Sequence, residues 1–109
     1  ETIREIDGLA MSSRNARLSK EDRQTAVLIP RAFELAKEYI SNGGRDIAKL
    51  LEIISEGILR SSKMKIDYIE ILNATDLSSL ERLQGEVVIA VAIFCGEVRL
   101  IDNIRLTVT

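Results

Sequence analysis

The sequence has no histidine, no tryptophan, one cysteine and one proline among its 109 residues. Each shortage removes a class of function. Without histidine there is no imidazole base, which excludes the usual Ser-His and Cys-His catalytic pairs and any histidine-ligated metal. A single cysteine, Cys95, excludes an internal disulfide and a cysteine-based zinc site. The aromatics are two Tyr and two Phe, too few to stack a run of nucleic-acid bases. Neither sign of charge dominates: 15 Lys and Arg against 17 Asp and Glu leave a net −2. That gives no general field to draw in nucleic acid, so any anion site must be local. No apolar run approaches the roughly 20 residues of a membrane span, and no secretory signal pattern is visible. The expectation is a soluble, cytoplasmic chain that binds neither nucleic acid nor a membrane.

What is present is aliphatic. Hydrophobic residues make up 46% of the chain, enough to close one core in one domain. The sequence starts at Glu1 without an initiator Met. Its opening, "ETIREIDG", reads as the tail of a strand running into a loop, so a piece of a longer protein is expected.

Periodicity divides the rest in two. Ser19-Lys20-Glu21-Asp22 has the form of a helix N-terminus, with a hydroxyl cap and acids in the first turn. Ala26, Ile29, Phe33, Ala36 and Ile40 then recur at helical spacing. Pro30 lies inside this run, lacks an amide hydrogen and crowds the preceding turn, so a kink or break is expected there. Asn42-Gly43-Gly44 ends the helix. A second helix is predicted from about Asp46 to Arg60, with Ile47, Leu50, Leu51, Ile54 and Ile58 as its apolar stripe. The period then changes. Lys65 to Leu72 reads as a strand. Asn73 to Gly85 reads as a connection with one helical turn around Leu77 to Leu80. Glu86 to Phe94 is apolar on both faces, the pattern of a central strand. Cys95-Gly96-Glu97-Val98 suits a two-residue hairpin turn with Gly96 at positive φ. The strand that follows is expected to break near Asp102-Asn103. The predicted fold class is α+β: two antiparallel helices packed on one face of a three-stranded antiparallel sheet.

Chemistry is concentrated in "GLAMSSRNARLS", Gly8 to Ser19. Ser12 and Ser13 offer hydroxyls and backbone amides, and Arg14 offers a forked cation. Such a set suits phosphate oxygens. It equally suits a solvated loop whose Ser and Asn side chains make local turns. The carboxylates Asp67, Glu70 and Asp102 are possible acid–base groups. Asp67 and Glu70 are an odd number apart, however, and so fall on opposite faces of a regular strand. Cys95 has no histidine to activate it and reads as a half-buried structural thiol. The charges of "SKEDR" read as a capped, solvated helix start.

The stretch "IREIDGLAMSSRNARLS" resembles the segment that opens the C-terminal domain of the pantoate–β-alanine ligase family, the pantothenate synthetases. The resemblance continues in "IDYIEI" (Ile66 to Ile71), in the apolar strand Val87 to Phe94 and in "RLIDNI" (Arg99 to Ile104), in the same order. It implies an enzyme that uses ATP and Mg²⁺ to join pantoate to β-alanine. Pantoate carboxylate attacks the α-phosphate to give pantoyl adenylate and pyrophosphate. The β-alanine amine then attacks the acyl carbon, releasing pantothenate and AMP. It also implies a homodimer and an N-terminal Rossmann domain holding the pantoate and β-alanine pockets. The C-terminal domain acts as a lid, with "MSSRN" in the part of the "KMSKS" loop of class I aminoacyl-tRNA synthetases. By resemblance, residues 1–18 form the nucleotide-contacting loop and residues 19–109 the lid domain. Ser12, Ser13 and Arg14 would contact ATP phosphates, Arg14 as the catalytic cation of the transition state. Met11 would lie beside the nucleotide, and the Ile3 backbone would meet adenine. The chain departs from "KMSKS" in having no Lys in the loop, and it contains no Rossmann half, so alone it is expected to be inactive. The competing reading is a stand-alone α+β interaction module whose basic loop binds a partner.

Overall fold

The structure is a computed structural model that describes residues 3–109. The helical half opens at Ser19, whose Oγ accepts from the Asp22 amide at 3.0 Å and caps α1, Lys20–Thr25. The helical run does break, but just upstream of Pro30. Ala26 closes α1, and α2 spans Leu28–Ser41. Proline explains the position of the break. Its ring crowds the carbonyl one turn back and it cannot donate to it. Restarting the helix at Leu28 puts Pro30 in the first turn, where an amide has no intrahelical partner anyway. The Ala26 carbonyl accepts from the Ile29 amide instead, at 3.1 Å.

At the far end of α2 the Gly43 and Gly44 amides turn back onto the Ile40 and Tyr39 carbonyls at 3.0 and 2.9 Å, the paired bonds of a Schellman end. Asp46 caps α3, Ile47–Ile58, by accepting from the Lys49 amide. The short turn folds α3 back along α2. Ile29, Ala32, Phe33 and Ala36 are buried on α2, and Leu50, Ile54, Gly57 and Ile58 on α3. Leu51, assigned to the stripe by its spacing, is 39% exposed. Gly57 takes a place in the buried face that hydrophobicity alone does not suggest.

The sheet comprises β1 (Met64–Asn73), β2 (Gly85–Cys95) and β3 (Val98–Val108). They lie in the order β1-β2-β3, antiparallel throughout. Central β2 sends Val87, Ile89, Val91, Ile93 and Cys95 into the core shared with the helices. The α+β architecture is the predicted one, with the helices on one face of the sheet. Cys95 pairs with Val98 across the Gly96-Glu97 turn, and Gly96 has φ +59°. Among the described residues, no helix is long and apolar enough to cross a membrane.

Three expectations fail for identifiable reasons. β3 is continuous through Asp102 and Asn103, which pair with Val91 and Ala90. The polar pair is accommodated because Asp102 finds a partner, described below. Leu77 to Leu80 is not helical. The Asn73 and Asp76 carboxamide and carboxylate oxygens accept from the amides of Thr75 and Ser78 at 2.8 and 3.0 Å, and such local bonds compete with helix formation. Ser79 then bridges back to Leu72. Finally, the pairing of β1 with β2 shifts between Ile66 and Tyr68. That bulge removes Asp67 from the regular alternation on which the face assignment of Asp67 and Glu70 relied.

Candidate functional site

The segment expected to be a nucleotide-contacting loop, residues 1–18, is structured from residue 3 on; residues 1 and 2 lie outside the described residues. Arg4 and Ala10 form an antiparallel bridge. The Met11 amide donates to the Ile3 carbonyl and the Glu5 amide to the Leu9 carbonyl, both at 2.8 Å. Residues 3–11 thus make a small hairpin. Gly8, near its tip, has φ +93°, and a Cβ there would sit 3.1 Å from the Pro30 Cβ, so only glycine fits without strain. Leu9, 2% exposed, enters the core and pins the hairpin to the helices. Ser12 follows as the N-cap of a 3₁₀ helix, Ser13–Arg17, its Oγ accepting from the Arg14 amide at 3.1 Å.

A second attachment runs to β3. Asp102 faces inward and is 4% exposed, the one buried charged residue among those described. Arg4 donates to its carboxylate twice, Nη1 to Oδ2 at 2.6 Å and Nη2 to Oδ1 at 3.0 Å. The same guanidinium donates to the Gly8 carbonyl at 3.0 Å and the Asn103 carbonyl at 3.2 Å. Asp102 Oδ1 also accepts from the Asn103 amide at 2.7 Å. A carboxylate so committed and so enclosed is an ion-pair partner rather than an acid–base group.

Beyond the hairpin lies an open groove of about 690 Å³ lined by Glu5, Met11, Ser12, Ser13, Asn15, Ala16 and Arg23. Three of the residues singled out in the sequence, Met11, Ser12 and Ser13, meet there. Ile3 sits on the neighbouring hairpin strand and is 72% exposed, and Met11 is 59% exposed. Arg14 is not among the lining residues. Its Nη1 donates to the Arg99 carbonyl of β3 at 3.3 Å. The cation that does line the groove is Arg23, whose sequence context is that of a solvated helix start. Arg23 donates to both Asp7 oxygens, at 2.8 and 3.0 Å, and lies 3.4 Å from Glu5. Asn15 Nδ2 completes the cluster, donating to Glu5 Oε2 at 2.6 Å and to the Ala10 carbonyl at 3.0 Å. The hydrogen bond from Arg23 holds the Asp7 carboxyl below the usual carboxylate range, and Asp7 in turn pushes the guanidinium pKa up. Only the turn at Gly8 brings Asp7 beside α1, so no local signal in the sequence marks Arg23.

The groove therefore carries two kinds of surface side by side. Exposed Met11 gives it an apolar side, and exposed Ile3 lies opposite Met11 on the hairpin. Ser12, Ser13 and Arg23 offer hydroxyl and guanidinium donors. Such a pairing suits a ligand with one flat apolar part and one anionic part. The Ser12 hydroxyl uses an acceptor site in its cap and keeps its proton to donate.

The other candidates lie outside the groove. Asp67 is paired with Arg99 at 3.0 Å, and Glu70 is an exposed residue of β1. Cys95 is fully buried rather than half-buried, and its Sγ donates to the Asp22 carbonyl at 3.6 Å. Burial, followed by the nearby Asp22 carboxylate, pushes the thiol pKa up, the opposite of what a nucleophile needs. Among the described residues there is no group of three or more metal-ligating side chains.

Comparison with known proteins gives a consistent result. The family model described as pantoate-beta-alanine ligase matches residues 1–105. The pantothenate synthetase of Leptospira biflexa is 53% identical over 102 residues, covering 94% of this chain and 36% of its own length. That of Caldicellulosiruptor bescii is 47% identical over the same shares. The chain thus spans little more than a third of the curated relatives it matches. The crystal structure of pantothenate synthetase from Thermus thermophilus superposes with a TM-score of 0.86 at 36% identity, over 94% of this chain and 37% of that one. Pantoate-beta-alanine ligase from Francisella tularensis, complexed with beta-gamma ATP and beta-alanine, gives 0.56 at 27% identity over 94% and 30%.

Proposed function

Because this chain belongs to the pantoate–β-alanine ligase family, we propose that it is the C-terminal lid domain of such a ligase and presents the hairpin and the "MSSRN" segment to ATP. The antiparallel sheet supports a lid, since a nucleotide-binding Rossmann half would carry a parallel sheet with helices on both faces. The observation that carries the nucleotide reading is exposed apolar Met11 lining one groove with Ser12 and Ser13, with exposed Ile3 opposite Met11 on the hairpin. The base lies against the apolar flank and the backbone of Ile3, and the phosphates meet Ser12 and Ser13. Glu5 is the one carboxylate lining the groove and is already engaged by Asn15 and Arg23. Mg²⁺ therefore travels with the ATP phosphates as part of the substrate.

Pantoate and β-alanine bind on the remainder of the enzyme, a homodimer working in the cytoplasm. Closure of the lid brings residues 1–18 onto the nucleotide, while residues 19–109 supply the rigid body. Excluding water there protects an acyl adenylate that hydrolysis would waste. Arg14 reaches the phosphates by exchanging its single bond to the exposed Arg99 carbonyl for charge-assisted bonds to oxygen anions, which are the stronger kind. Charge grows on the departing pyrophosphate, so a donor placed there stabilises the transition state more than the ground state.

The test separates the two half-reactions in the ligase that carries this chain. Arg14→Ala is expected to slow adenylate formation by roughly 10²–10³, while pantoyl adenylate supplied preformed reacts with β-alanine at close to the normal rate. Arg14→Lys recovers part of the loss, because a point charge lacks the forked geometry. Equal slowing from the preformed adenylate removes Arg14 from the pyrophosphate side.

A further inference from the structure

The groove is built on a hairpin with little core of its own; Leu9 pins it to the helices, and the Arg4–Asp102 pair ties it to β3. We infer that Asp102 and Arg4 are positioning residues for nucleotide binding: their buried pair fixes residues 3–11 on β3 and so sets where Ile3, Met11 and Ser12 stand. This rests on the nucleotide reading above and adds to it a determinant outside the groove.

The geometry is specific. The Asp102 side chain is 2% exposed and that of Arg4 28%. Between them the two residues engage the tip of the hairpin at the Gly8 carbonyl and the backbone of β3 at the Asn103 carbonyl and amide. Arg4 itself is the bridge residue opposite Ala10, next to Ile3, whose carbonyl receives the Met11 amide. A shift of the guanidinium therefore moves the apolar flank of the groove directly. β3 is an edge strand, so its outer carbonyls have no neighbouring strand to fix them, and Arg4 takes up that of Asn103. Such an ion pair contributes little stability beyond an apolar pair of equal volume. Leu9 anchors the hairpin non-directionally through apolar burial. The Arg4–Asp102 fork adds orientation.

The experiment uses the ligase that carries this chain, in four forms: wild type, Asp102→Asn, Arg4→Lys, and the apolar replacement Arg4→Met with Asp102→Leu. The last keeps the volume filled, so it remains folded where a single lost charge could unfold the domain. The expected result is a KM for ATP raised roughly 10–100-fold, the scale of a misplaced binding group. The KM for pantoate and the rate from preformed pantoyl adenylate stay unchanged. Amide exchange at Glu5 and Met11 quickens while that of Val87 to Ile93 does not. Folded variants with normal ATP KM overturn the inference, as does unchanged exchange at Glu5 and Met11. Arg14→Ala is the control that tells the two readings apart. If it impairs adenylation and the pair variants do not, only the positioning role fails. If neither affects ATP, the nucleotide reading fails and the positioning role with it.

Discussion

Gly57 of α3 lies directly against Ala32 of α2: a Cβ built on Gly57 would stand 3.2 Å from the Ala32 Cβ and 3.4 Å from its Cα. The two helices approach this closely only because position 57 lacks a side chain. Gly57→Ala gains about 1 kcal/mol of helix propensity and loses a comparable amount to crowding against a backbone that cannot rotate away. Its stability should stay within about 1 kcal/mol of wild type. Gly57→Leu has no such compensation and should lose about 2–3 kcal/mol through overpacking. Urea unfolding of the two variants checks the pair of outcomes. A Leu variant as stable as wild type contradicts the close crossing.

The Arg23–Asp7 fork predicts a pH response of the hairpin. Hydrogen bonding to Arg23 depresses the Asp7 pKa in the folded state. The stabilising contribution is thus present above the ordinary carboxylate pKa of about 4 and is lost as pH falls through the lower folded value. Asp7 is 41% exposed at its side chain, and screening holds the effect below about 1 kcal/mol. In carboxyl-detected NMR titration, the Asp7 midpoint should lie below the ordinary Asp value. Arg23→Ala should move that midpoint up. An unmoved midpoint shows that the fork is absent in solution.

Cys95 should be inert in the native protein. Its thiol is fully buried and its pKa is raised by burial and by Asp22, so thiolate is scarce and inaccessible. Labelling with an aromatic disulfide reagent at pH 8 should follow global unfolding, speeding up with added denaturant in step with loss of structure. Stoichiometric labelling within the mixing time would place the thiol at the surface.

The chain by itself should make no pantothenate, because the pantoate and β-alanine pockets belong to the rest of the proposed enzyme. AMP formation with ATP, Mg²⁺ and both substrates is the measurement, and turnover at the rate of an intact ligase refutes the lid reading. Binding of ATP to the chain alone should be on the order of millimolar, about −4 kcal/mol, since the groove is open and one-sided. Micromolar affinity by calorimetry would show a complete site within these residues.

Local patterns in the sequence determined the elements, because at those positions burial, propensity and capping agree. The Ser19 cap, the Gly43-Gly44 helix end, the doubly apolar β2 and the Gly96 turn each depend on neighbours only a few residues away, and each is found where its pattern places it. Met11, Ser12 and Ser13 were legible as a cluster for the same reason, being contiguous. Tertiary structure alone decided which charges matter. Alternation with Leu100 and Ile104 already puts Asp102 on the apolar face of β3, but its partner Arg4 is 98 positions away, and no local signal marks that pairing. Arg23 joins the groove and Arg14 turns to the Arg99 carbonyl because of how the hairpin packs on α1 and β3. The bulge that displaces Asp67 likewise arises from pairing with β2 rather than from the composition of β1. Alternation can tell which face a charged side chain takes, but its partner is chosen only when distant segments meet.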